Sequence, residues 1–197
     1  DHRGGCSAFR DTVEEIIAFA PQKAVLKGTE RINPILNKRT FRQFGYGLTD
    51  EELITQGLGI REGHAIGDGV YSFLPPTTLY TEDSVTRTID GVALEMVSAV
   101  GETDDQIFLW LPEERIMCCG DNYYGCWPNL YAIRGGQYRD IAAWVDSLER
   151  IMSYPAEALL PGHMLPVLGH DRITEVLGNF KEAIRYILDE TLVCIRQ

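Results

Sequence analysis

The sequence predicts an α/β fold, and two observations carry that expectation. Two strand pairs with tight turns lie in the middle of the chain, and beyond residue 140 the apolar residues change to helical spacing, with one more short apolar run between two helices.

The elements come in order. Residues 22 to 28 fit a short strand, and Thr49-x-x-Glu52 is a capping-box pattern that opens a short helix before Gly57. Between these two the pattern is mixed and no element is assigned. Residues alternate from Val85 to Val100 except at Asp90-Gly91, which supplies the positive φ angles of a two-residue hairpin turn. Ile107 to Leu111 and Arg115 to Cys119 form a second strand pair around Pro112-Glu113-Glu114. Ile141, Trp144, Val145, Leu148, Ile151 and Met152 share one face of a helix opened by Asp140. A short apolar run, Ala158 to Leu160, ends at Pro161-Gly162-His163, and a last helix starts at about Asp171. This order suits helices outside packed sheets. The chain shows no internal repeat and no Gly/Ser linker.

Composition bounds the partners. With 197 residues and 45% hydrophobic content the chain can bury a core, and its net charge of -11 argues against a nucleic-acid backbone partner. An anionic substrate needs a local basic site. No run of about 18 apolar residues is present, so no membrane span is expected. Cys6, Cys118, Cys119, Cys126 and Cys194 are odd in number and lack C-x-x-C spacing, so they read as reduced, partly buried thiols, which lean towards an intracellular setting. The compartment itself is not readable.

The chemistry concentrates where glycine meets a carboxylate or imidazole at the end of an apolar run. A strand end fixes the atom and a glycine lets the chain turn. Gly101-Glu102, Gly120-Asp121 and Gly162-His163 all have this setting, and Asp1-His2 stands before Gly4-Gly5 at the start. Each alone reads more often as a turn, a helix cap or a loop than as a ligand; four in this order point to a metal site. His64 and His170 have no such neighbours, and Gly57 to Gly63 lacks the glycine spacing of a dinucleotide loop.

Asp1-His2-Arg3-Gly4-Gly5 resembles the end of the H-x-H-x-D-H-x-G-G motif of the metallo-β-lactamase fold, an αββα sandwich. Where many members of that fold read P-G-H-T, this chain has Val100-Gly101-Glu102-Thr103. With Gly120-Asp121, Asn129-Leu130-Tyr131-x-x-Arg134-Gly135, Arg139-Asp140 and Pro161-Gly162-His163, that glutamate resembles the zinc-dependent alkyl sulfatases. The resemblance implies two histidines before Asp1, so that the N-terminal part of the domain is missing from this sequence.

The implications of the resemblance are specific. Residues 1–170 would be the catalytic domain and 171–197 the start of a helical dimerisation region, giving a homodimer. Asp1, His2 and His163 would hold one zinc ion, Glu102 and the two preceding histidines a second, and Asp121 would bridge them as the catalytic carboxylate. Asn129, Arg134 and Arg139 would bind the sulfate of a small-molecule alkyl sulfate, with Tyr46 and Gly59 as further contacts. An arginine fork matches two sulfate oxygens. Tyr123, Tyr124, Trp127 and Tyr131 line an alkyl channel or pack the core. The activity implied is hydrolysis of alkyl sulfate esters by metal-activated water. The competing readings are hydrolysis of a lactone, thioester or β-lactam on the same fold, and a binding module without chemistry.

Overall fold

The computed structural model describes residues 5–20, 29–43, 45, 47–49, 51–52, 74–130 and 139–196. The chain divides into two compact units.

The first unit comprises Asp1–Ile17, Leu26–Thr78 and Ile133–Gly136. It contains a short 3-10 helix, Cys6–Phe9, and helix α1, Thr29–Gln43. Helix α1 was not expected, because Pro34 lies inside it and polar residues break up its apolar period. Glu52 Oε2 accepts from the Thr49 backbone N–H at 2.9 Å, which is the capping-box contact expected there. The helix that this contact would open, and the strand expected over residues 22–28, lie outside the described residues. Strands β1 (Ile17–Phe19) and β2 (Thr78–Tyr80), most of whose residues belong to the second unit, form a two-stranded sheet. Neither was expected, since three residues are too few for an alternation to be seen.

The second unit comprises Ala18–Val25, Leu79–Ala132 and Gln137–Gln197. It is built on a six-stranded sheet in sequence order: β3 (Ser84–Ile89), β4 (Val92–Ser98), β5 (Ile107–Leu111), β6 (Ile116–Gly120), β7 (Ala158–Pro161) and β8 (Val167–Leu168). The β3–β4 hairpin turns at Asp90 and Gly91, with φ of 51° and 83°, as the dipeptide predicts. Arg115, expected at the start of a strand, belongs to the preceding turn instead. Its φ is 56°, outside the β region, and its Nε donates to the Pro155 carbonyl at 2.9 Å.

All neighbouring strands are antiparallel except β6 and β7, which are parallel. A parallel pair needs a crossover, and helix α2 (Ile141–Met152) supplies it. Asp140 caps α2 by accepting from the Ala143 backbone N–H at 3.1 Å. Helix α3 (His170–Arg196) comes after β8. His170, expected to stay away from the chemistry, opens α3, with Nδ1 3.2 Å from the Ala156 carbonyl.

Alternation in the strands decides which residues enter the core. Val97, Phe108, Trp110, Met117, Cys119 and Leu159 are buried from the sheet, and Trp144, Val145, Leu148 and Ile151 pack on them from α2. Ile173, Leu177 and Ile184 add the first half of α3. Each fully buried aliphatic or Phe side chain stabilises the unit by roughly 1.5–3 kcal/mol. All five cysteines are free; burial pushes the Cys119 thiol up to about 12, whereas Cys126 and Cys194 are exposed. No helix among the described residues is long and apolar enough to cross a membrane.

Trp144 is fully buried, and its Nε1 donates to the Asn122 backbone carbonyl at 2.9 Å. Trp144→Phe should therefore lower unfolding free energy by about 1–3 kcal/mol, measured by urea denaturation, because a buried acceptor loses its donor.

Candidate metal centre

Sheet topology gathers three of the sequence-predicted residues at one edge. Strands β4, β6 and β7 run in the same direction, so the chain leaves all three at the same side of the sheet. Glu102 comes after β4, Asp121 after β6 and His163 after β7.

The β6–β7 register brings the last two into contact. Cys118 pairs with Leu160 and Gly120 with Pro161, so β6 carries one extra residue at Cys119. Such a bulge bends the strand and redirects the residues beyond it. Gly120 takes φ 50°, a conformation that favours glycine, and its carbonyl accepts from the Gly162 N–H at 3.0 Å. His163 Nε2 consequently lies 3.3 Å from Asp121 Oδ1. The carboxylate is 8% exposed and the imidazole 47%.

This spacing suits two ligands of one ion. Oxygen and nitrogen donors at ~2.0–2.2 Å from a tetrahedral zinc stand about 3.4 Å apart. The donor types also suit zinc, and an imidazole beside a carboxylate is a common pairing at such sites. Among the described residues no group of three or more His, Cys, Asp and Glu side chains is close enough to hold a metal. Asp121 and His163 are the two expected donors that the structure brings into contact. The other expected members, Asp1 and His2, lie outside the described residues.

Glu102 has a different partner. Its carboxylate accepts from the Arg139 guanidinium, whose other arm donates to the Asn129 carbonyl. The Arg139 side chain is 10% exposed and that of Glu102 27%, so this ion pair is partly desolvated. Arg139 therefore ties two expected site residues together. Tyr46, Gly59 and Arg134 lie outside the described residues.

Tyr124 is the residue at which these parts meet. Its ring stands edge-on to the His163 imidazole with centroids 5.9 Å apart. Burial pushes its phenol up to about 12; the charges of Glu102 and Asp121 add to the rise, while Arg139 and the Asn129 backbone oppose it. The phenol stays protonated, and so remains a donor, near neutral pH. In the sequence Tyr124 is one of four aromatics with nothing to distinguish it. Its closeness to Gly120-Asp121 was the available signal, but side-chain direction in a loop is set by tertiary contacts. Tyr123 and Trp127 face elsewhere, lining an open cleft of about 360 Å³ with Arg172 and Phe180 of α3. Tyr131 lies outside the described residues.

No protein-family model matches the chain. It is 31% identical over 201 residues to a linear primary-alkylsulfatase of Pseudomonas sp. (strain ATCC 19151), a match that covers 98% of this chain and 37% of that protein. It is 26% identical over 208 residues to the alkyl/aryl-sulfatase BDS1 of Saccharomyces cerevisiae, covering 100% of this chain and 32% of the relative. The chain thus spans about a third of the length of these relatives. Among solved structures it is similar to the stereoselective inverting sec-alkylsulfatase Pisa1 from Pseudomonas sp., with TM-score 0.73 and 19% identity over 92% of this chain and 29% of that one. A metallo-β-lactamase family protein from Thermus thermophilus matches with TM-score 0.63 and 18% identity over 98% of this chain and 60% of that one. The chain has the metallo-β-lactamase fold and is a relative of the alkylsulfatases.

Proposed function

We propose that residues 1–170 belong to the catalytic domain of a zinc-dependent enzyme that hydrolyses alkyl sulfate esters to an alcohol and inorganic sulfate. The observation that carries this reading is the contact of Asp121 with His163 at 3.3 Å on an alkylsulfatase-like chain. The proposed donor set has Asp1, His2 and His163 on one zinc, Glu102 with two preceding histidines on the other, and Asp121 between them. When bound, zinc acidifies water to a pKa of about 7 and steadies charge on the departing oxygen.

The chain's own residues supply the rest. The β6–β7 register brings Asp121 and His163 within 3.3 Å of each other, so both point at the same place. Arg139 orients the Glu102 carboxylate and holds the Asn129 segment beside it. Arg134 and Arg139, with Asn129, Tyr46 and Gly59, are the proposed sulfate contacts; the planar guanidinium of Arg134 matches two oxygens of the headgroup, whereas both arms of Arg139 are engaged by Glu102 and the Asn129 carbonyl. Tyr123 and Trp127, on a cleft that Arg172 and Asn179 also line, are the proposed contacts of the alkyl chain.

Dimerisation through residues 171–197 is also proposed. The last turns of α3 expose Leu192, Val193 and Ile195 at 42%, 46% and 74%, a surface that a second helix would cover. Light scattering of the full-length protein should give twice the chain mass; a monomer at micromolar concentration contradicts the proposal.

The zinc-loaded full-length protein should release sulfate from dodecyl sulfate in preference to turning over a lactone, thioester or β-lactam. Arg134→Ala should lower kcat/KM for the sulfate ester roughly 10- to 100-fold, since a charge-assisted hydrogen bond contributes about 1.5–3 kcal/mol, and leave the other esters unchanged. Preference for another ester class places the chain elsewhere on the fold. Asp121→Ala should cut bound zinc, measured by plasma mass spectrometry, from two ions per chain to one or none. Fewer than two ions in the unmodified protein would favour a binding module without chemistry.

A further inference from the structure

Gln106 and Asn122 take no part in the proposed chemistry, yet they lie directly beneath it. Gln106 Oε1 accepts a hydrogen bond from the Glu102 backbone N–H at 3.0 Å. Asn122, next to Asp121, is wholly buried, and its Nδ2 donates to the Ala99 carbonyl at 3.1 Å. Its own backbone is fixed at both ends: its N–H donates to the Cys119 carbonyl at 3.1 Å, and its carbonyl accepts from Trp144.

The two amides converge on Gly101. A Cβ at that position would stand 2.9 Å from both Asn122 Nδ2 and Gln106 Oε1, closer than real Cβ atoms come. Any side chain at 101 would have to displace these two amide ends, and this close approach rather than φ, which lies outside the left-handed region, favours glycine there. Gln106 Nε2 also lies 3.7 Å from where a Cβ on Gly120 would be. The turn carrying Glu102 therefore closes on both amides, and the strand end before Asp121 lies within ordinary contact of one of them, Gln106.

Packing alone does not account for Asn122. Its Oδ1 is buried without a hydrogen-bond partner among the described residues, which costs stability that an apolar side chain of similar size would not incur. An amide can do what an apolar group cannot: hold the strand before Gly101 through the Ala99 carbonyl.

We infer that Gln106 and Asn122 form an amide clasp that sets Glu102 and Asp121 relative to each other, as positioning residues for the metal centre. The inference rests on the metal-site reading above, and its test separates the two.

Zinc affinity of the full-length protein, measured by competition with a fluorescent chelator, is compared for Gln106→Met, which removes the acceptor, and Gln106→Glu, which keeps it. Gln106→Met should bind zinc about tenfold more weakly and Gln106→Glu within about threefold of the unmodified protein, the size of effect seen when groups behind metal ligands are removed. Unchanged affinity in Gln106→Met, or equal loss in both variants, overturns the clasp. If Gln106→Met does not fold, Gly101→Ala carries the same expectation, because its methyl displaces both amides, and wild-type affinity there overturns the clasp. If the unmodified protein binds no zinc, the metal-site reading has failed, and amide hydrogen exchange decides the clasp alone. Exchange of the Glu102 N–H about tenfold faster in Gln106→Met than in Gln106→Glu supports it, and equal exchange overturns it.

Discussion

Everything at the candidate centre depends on the parallel pairing of β6 with β7. In an otherwise antiparallel sheet, this one pair forces a crossover, and the crossover is α2. Parallel strands end at the same edge, so the residues leaving β6 meet those leaving β7. The extra residue at Cys119 shifts the register by one step and turns Asp121 towards His163. Since β4 runs the same way, Glu102 joins that edge from two strands away.

The core holds this arrangement by joining sheet, crossover and loop at one point. Trp144 of α2 is fully buried in the core, meets Phe180 edge-on, and donates to the Asn122 carbonyl, so one side chain anchors both the helix and the residue after Asp121. Polar groups then become denser towards the edge. Arg139 bridges Glu102 and Asn129, and Tyr124 presents its ring to His163 while its phenol stays neutral. The net charge of -11 says nothing about this locality, where one partly buried guanidinium pairs with Glu102.

Much of this was legible in the sequence, and the remainder was hidden for physical reasons. Asp90-Gly91 announced its turn because only a few residues adopt two positive φ angles, and Asp140 announced α2 because a cap needs a short oxygen. Gly101, Gly120 and Gly162 marked the edge, although for different reasons: Gly120 for its φ and Gly101 for the amides pressed against it. Helix α1 was hidden by Pro34, and β8, two residues long, has no period to detect. Contacts that join distant segments, such as Arg139 with Glu102 and Tyr124 with His163, leave no local pattern. Among the expected site residues, Asp1, His2, Tyr46, Gly59 and Arg134 lie outside the described residues, so the structure speaks to Glu102, Asp121, Asn129, Arg139 and His163.

Strand register would present Asp121 and His163 as two ligands of one metal ion. Anomalous diffraction at the zinc edge, from crystals of the full-length protein grown with zinc, measures this directly. The account predicts a peak about 2.0–2.2 Å from both Asp121 Oδ1 and His163 Nε2. A peak elsewhere, with Asp121 and His163 bonded only to each other, would contradict it.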